Sequence, residues 1–147
     1  MPTRSAHTRW SGGLQDGSGT VELSSSGLGS FDVSFPRRTA DAADGATSPE
    51  ELIAAAHASC YSMAFSGGLT KAGGTVRGLD VTADVTLGPD PAGGLRITGI
   101  KLTVRGHVDG LDAAAFQEAA EAAKSGCPVS KALTGTTITL DAALIEP

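Results

Sequence analysis

The stretch Ser48-Pro49-Glu50-Glu51-Leu52-Ile53-Ala54-Ala55-Ala56-His57-Ala58-Ser59-Cys60 opens with the strongest helix start in the chain. Ser48 is placed to cap, Pro49 suits the first helical position because its missing N–H is no loss there, and Glu51 completes a capping box. Leu52, Ile53, Ala56, Cys60, Met63 and Ala64 then recur at three- and four-residue spacing. The other side, with Ala54, Ala55, Ala58, Ser59, Tyr61, Ser62 and Phe65, carries no charge either. A helix without a wet face is central and packed on all sides. Its alanines allow close approach of other elements, and Gly67-Gly68 or Gly73-Gly74 ends it.

On the N-terminal side, Val21 and Leu23 flank Glu22, and Phe31, Val33 and Phe35 alternate with Asp32 and Ser34. With glycine turns between them, these segments predict a small antiparallel meander. The segment Pro36 to Thr47 has no usable period and is expected to be a loop holding Arg37 and Arg38. On the C-terminal side, Val81 to Leu87 and Ile100 to Val108 alternate as two long strands of a hairpin. Asp112 offers an N-cap to a second helix through Lys124, Gly126 stops it, Cys127-Pro128 begins a further turn, and Ile138 to Leu144 forms a last strand. Strand groups around helical segments, without βαβ alternation, give the class α+β.

A chain of 147 residues favours one domain, here spanning 1–147. Of the 40% that is hydrophobic, 23 residues are alanine, so only about a quarter of the chain consists of larger apolar side chains. A core that lean is expected to be completed across a subunit interface, as a homodimer. The net charge of −5 and the lack of any basic stripe argue against nucleic acid as a partner. The first ten residues lack the apolar segment of a secretory signal, and no stretch predicts a membrane span, so no membrane partner is expected. With two cysteines, Cys60 and Cys127, the expected setting is cytoplasmic and the thiols reduced.

The chemistry rests on those two sulfurs. A cysteine deep in an apolar helix, as Cys60 is, reads first as a small buried hydrophobe. Cys127 occupies the N-cap of a proline-led turn, where free N–H groups and the dipole favour a thiolate. On these grounds Cys127 is the more acidic of the two. If the sulfurs meet, a thiolate can attack a peroxide O–O bond, leave a sulfenic acid, and condense with its neighbour to a disulfide. Such an attack needs a cation, and Arg37 or Arg38 can supply a permanently charged one. Glu51 is accounted for by the capping box, which leaves Glu50 free to orient an arginine. Glu50 lies about 15 Å of helical rise from Cys60 and about 80° off its face. An antiparallel crossing of two such helices would bring Glu50 and its arginine toward Cys60 of the other subunit, which predicts composite sites at a dimer interface.

His57 lies one turn before Cys60, which raises a Cys60–His57 nucleophile pair or, with Cys127, a metal site. No metal-type spacing and no orienting Asn or Asp support either, so His57 reads as a satisfied helix histidine, and no metal or cofactor is expected. Trp10 and Tyr61 read as packing residues.

The segment Thr47 to Cys60, the later Ala123-Lys124-Ser125-Gly126-Cys127-Pro128-Val129-Ser130 and the closing Thr-Ile-Thr-Leu strand resemble the osmotically inducible protein C / organic hydroperoxide resistance (OsmC/Ohr) family over essentially the whole chain. Pro-Glu-Glu-Leu-Ile, Ala-His-Ala before Cys60 and Gly-Cys-Pro-Val-Ser at Cys127 are closest to its OsmC branch. The resemblance implies an intertwined homodimer with curved antiparallel sheets around central buried helices. It implies a thiol peroxidase that reduces organic hydroperoxides and, less selectively, hydrogen peroxide, in oxidative or osmotic stress defence. By this likeness Cys60 is the peroxidatic thiol, Cys127 resolves it, and Glu50 positions an arginine, for which Arg38 fits better than Arg37. Leu52, Ile53, Tyr61, Met63 and Phe65 are candidates for an apolar entrance or, equally, for core packing.

Electrons would return from an external dithiol such as a lipoylated protein or thioredoxin. Two other readings compete: a Cys60–His57 hydrolase, and a non-catalytic redox-sensing or small-ligand-binding dimer.

Overall fold

The computed structural model describes residues 1–146 and forms two compact units, Met1–Leu52 and the remainder from Ile53. In the first unit β1 (His7–Ser11), β2 (Ser18–Glu22) and β3 (Ser30–Val33) make the antiparallel meander that the alternation predicts. Its register sets Trp10 opposite Gly19 and Val21 opposite Phe31. The third strand stops at Val33, short of the expected Phe35. Pro36 has no N–H to give a ladder, and Ser34 caps a one-turn helix, α1 (Phe35–Arg38), by accepting the Arg37 N–H at 3.3 Å. The expected loop therefore begins as helix, with both arginines in its last turn. It ends tied to the sheet, the Thr47 N–H donating to the Asp32 carbonyl at 2.9 Å.

Helix α2 (Pro49–Lys71) then starts as predicted, with the Glu51 N–H donating to Ser48 Oγ at 3.1 Å. The second half of the capping box is replaced: the Glu51 carboxylate accepts from Thr47 Oγ1 at 2.5 Å.

In the second unit α2 buries one stripe only. His57, Tyr61, Phe65 and Leu69, four residues apart, are all fully buried, whereas Ala55, Ala56, Ser59, Met63 and Gly67 are exposed. Within one chain the expected packing on all sides is met along this stripe alone. The rings of Tyr61 and Phe65 each remove about 150–250 Å² from water, more than the Cys60–Met63 side can offer, and so take the core. The open face is small and uncharged, with Met63 75% exposed. The helix runs through Gly67-Gly68, because each glycine costs only about 1 kcal/mol while Phe65 and Leu69 are anchored on either side. It ends at Lys71, where Gly73 turns at φ 93° and the Gly74 N–H reaches back to the Leu69 carbonyl at 2.9 Å.

Strands β4 (Thr75–Pro89) and β5 (Leu95–Asp109) form the predicted hairpin, antiparallel, with irregularities at Val76/Gly78 and Thr86/Leu87. Helix α3 (Ala113–Gly126) is capped by Asp112, whose side chain accepts the Ala115 N–H at 2.8 Å. Helix α4 (Pro128–Ala132) follows, and β6 (Ile138–Leu144) closes the unit. β6 joins β5 in parallel, Ile100 beside Ile138 through Gly106 beside Leu144, so this sheet is mixed and not wholly antiparallel. The two intervening helices provide the long crossover that parallel pairing requires.

The core lies between sheet and helices. Phe65 meets Phe116 edge-on at 5.0 Å between ring centroids, the Tyr61 hydroxyl donates to the Ala120 carbonyl at 2.9 Å, and Leu102 and Val104 face the same cluster. Gly106 is required by this packing: a Cβ there would sit 2.6 Å from the buried Phe116 ring.

Candidate active site

Cys127 is the N-cap of α4 and Pro128 its first residue, as the sequence indicated. The cap geometry turns the sulfur toward the Val129 and Ser130 backbone N–H groups without a capping hydrogen bond. Cys60, on α2, approaches from the other side, and the two sulfurs lie 3.0 Å apart. Both are free thiols, Cys127 fully buried and Cys60 half-buried. A disulfide needs about 2.05 Å between sulfurs, so an approach of about 1 Å would join them.

The two thiols are electrostatically unequal. Burial pushes Cys60 up and contact with Cys127 pushes it further, against a smaller lowering by the Val129 N–H, so its pKa is raised. Burial opposes ionisation of Cys127 too. There the Cys60 thiol, the Ser130 backbone and hydroxyl and the Val129 N–H outweigh it, and the Cys127 pKa is lowered. The sequence-based preference for Cys127 as the more acidic thiol therefore stands.

His57, fully buried, places Nε2 2.7 Å from Ser130 Oγ, while Nδ1 has no hydrogen-bond partner. Burial lowers its pKa, which favours the neutral imidazole. Nε2 is thus engaged by Ser130 and not by a cysteine. Sequence reasoning gave Ser130 no part; the available signal was its place at N3 behind a capping cysteine, facing the cap side chain. Among the described residues no group of three or more His, Cys, Asp and Glu side chains is placed to hold a metal ion, and no helix is long and apolar enough to cross a membrane.

In the first unit the arginine choice is sharp. Arg38 grips Glu50 with Nη2–Oε1 at 2.7 Å and Nε at 3.2 and 3.1 Å from the two carboxylate oxygens, a forked geometry. Arg37 instead pairs with Asp44 at 2.5 Å in solvent. The Glu50 side chain is 9% exposed and that of Arg38 33%. Burial would raise the Glu50 carboxyl, but Arg38, the residue's own backbone N–H and, least, the Ser48 hydroxyl prevail and hold it below the usual carboxylate range; Glu50 in turn raises Arg38. A cleft of about 400 Å³ opens beside Arg38, lined by Trp10, Leu14, Val21, Phe35 and Leu52. Of the side chains named as a possible apolar entrance, Leu52 is there, whereas Tyr61 and Phe65 belong to the core. The sequence gives Trp10, Leu14 and Phe35 no place in a cleft: Trp10 reads as packing, Leu14 has no period, and Phe35 reads as part of an alternating strand.

An α+β chain with two free thiols in near contact defines a dithiol protein. The chain belongs to the OsmC family, whose model, described as OsmC-like protein, matches residues 42–141. Within it the chain falls in the OsmC branch, being 42% identical over 138 residues to the peroxiredoxin OsmC of Escherichia coli (strain K12), a match covering 94% of each chain. Among solved structures it is similar to the organic hydroperoxide resistance protein OhrB of Bacillus subtilis, with a TM-score of 0.73 and 29% identity over 94% of this chain and 97% of that one. It is similar also to an organic hydroperoxide resistance protein from Elizabethkingia anophelis, with a TM-score of 0.76 and 25% identity over 98% and 99% of the two chains.

Proposed function

We infer that this chain is a thiol-dependent peroxidase that reduces organic hydroperoxides through Cys60 and Cys127. Family membership and the names of its relatives support the activity, and the 3.0 Å approach of the two sulfurs is the observation that carries the mechanism. The Cys60 thiolate attacks the distal peroxide oxygen, the O–O bond breaks, and the alkoxide takes a proton to leave as an alcohol. The Cys127 thiolate then attacks the Cys60 sulfenic sulfur, forming the S–S bond while hydroxide departs and is protonated to water. An external dithiol, such as a lipoylated protein or thioredoxin, reduces the disulfide and is itself oxidised.

Cys60 is the peroxidatic thiol in this reading although its own surroundings raise its pKa. The compensating charge is Arg38, held by Glu50 and presented to Cys60 of the partner subunit in a homodimer. The uncharged, exposed face of α2 around Met63 supports such pairing. The apolar cleft beside Arg38 suits an organic substituent better than hydrogen peroxide. Both units then serve one functional domain, working in the cytoplasm where a dithiol reductant is at hand.

Steady-state consumption of an alkyl hydroperoxide in excess dithiol tests this. Turnover is expected in the native protein, none in Cys60→Ser, and a loss of sustained turnover in Cys127→Ser with Cys60 driven to the sulfinic acid. A single stoichiometric burst in the native protein would mark a redox sensor, and activity surviving Cys127→Ser but lost in His57→Ala would mark a hydrolase.

A further inference from the structure

His57 is a fully buried titratable group in the second unit that the reaction above does not use. It makes one hydrogen bond, 2.7 Å from Nε2 to Ser130 Oγ, and its Nδ1 is enclosed without a partner. A neutral imidazole carries a single N–H. Were it on Nδ1, a buried donor would go unpaired, which proteins avoid more strictly than an unfilled acceptor. The proton therefore belongs on Nε2, where it donates to Ser130 Oγ. Ser130 has only one hydrogen of its own, and with its oxygen receiving from His57 that hydrogen is free to point elsewhere. One turn back lies Cys127, the cap of the same short helix, with its sulfur 3.0 Å from Cys60.

We propose that His57 and Ser130 are positioning residues for Cys127: the His57 Nε2–H fixes the Ser130 hydroxyl so that its O–H is presented to the Cys127 sulfur when that sulfur is anionic. Its consequence for catalysis rests on the peroxidase reading: a pre-aimed donor raises the fraction of Cys127 present as thiolate and so speeds its attack on the Cys60 sulfenic acid. No proton changes hands between His57 and Ser130, which accords with a histidine that burial keeps neutral. The other titratable groups near Cys127 are Cys60 and Tyr61 from α2. Tyr61 also feels Glu121 of α3, which is paired to Lys124 at 3.0 Å, and burial raises the phenol so that it stays protonated across the range of interest.

The test needs no peroxide. In a Cys60→Ser background, where serine can still donate to the neighbouring sulfur, Cys127 is the sole thiol, and its titration is read by thiolate ultraviolet absorbance. The midpoint is expected to rise by about one pH unit in His57→Leu, the scale of one charge-assisted hydrogen bond. It is expected to return most of the way in His57→Gln, whose amide N–H reaches about as far as Nε2. Equal midpoints in the parent, Leu and Gln forms, or equal shifts in Leu and Gln, overturn the proposal.

If His57→Leu does not fold, the same contrast is drawn between Ser130→Ala, expected to shift, and Ser130→Thr, expected not to; equal midpoints there overturn it as well. Turnover of the native protein, measured in parallel, separates the two claims. A His57-dependent midpoint without turnover upholds the positioning and sinks the peroxidase reading, and turnover with a His57-independent midpoint does the reverse.

Discussion

The two units handle polarity in opposite ways. The first, Met1–Leu52, has little interior: Val21 is its buried large apolar side chain, and its order comes from turns, caps and ion pairs. The second packs Tyr61, Phe65, Leu69, Leu102, Val104 and Phe116 into a buried cluster that includes Cys127. A permanent charge is best kept where water can reach it and a carboxylate can aim it, which is how Arg38 is held. A sulfur nucleophile gains from exclusion of water, provided that something offsets the penalty on the thiolate. The contrast teaches that the cation and the sulfurs make opposite demands on their surroundings, and the chain meets them in separate units.

Removing the charge tests that division most strongly. Arg38→Met is expected to lower hydroperoxide turnover on the order of 10²-fold, the scale of losing one donor to a developing oxyanion. Arg38→Lys should recover little of it, since an ammonium cannot match the fork on Glu50. Arg37→Met should leave turnover near the native rate, because Arg37 is spent on Asp44.

Acid titration gives a smaller effect. The folded Glu50 carboxyl titrates below its ordinary value of 4.5, so the ion pair's contribution to stability is complete above that value and is lost as pH falls through the lower folded one. Native thermal stability should therefore fall off on acidification more steeply than that of Glu50→Gln, as melting curves recorded across that window would show.

The least chemical perturbation is Gly106→Ala. It should destabilise the second unit by about 1–3 kcal/mol through collision with Phe116, seen as a lower denaturation midpoint. Turnover by the fraction still folded should be unaltered, because no site residue touches that glycine.

Much of this architecture is legible in the residues. Ser48-Pro49 and Asp112 mark helix starts because capping is local chemistry, and the long alternations of β4 and β5 leave no second reading. The burial of α2 is not legible: both its faces are uncharged, so periodicity cannot say that Tyr61 and Phe65 turn inward while Met63 turns out. The parallel docking of β6 is likewise hidden, since pairing direction depends on where two helices return the chain. At the site, the fork of Arg38 on Glu50 turns on the single turn that Ser34 and Pro36 create, so the short α1 decides between adjacent arginines. The approach of Cys60 and Cys127, 67 residues apart, is a tertiary fact that family motifs anticipate and spacing alone does not.

Mass analysis of the native protein after one equivalent of an alkyl hydroperoxide tests the central claim most directly. The account predicts a chain lighter by two hydrogens, with Cys60 and Cys127 joined within the same polypeptide and the native mass restored by dithiol. A chain that consumes peroxide yet keeps Cys127 as a free thiol, or joins cysteines only between chains, would contradict it.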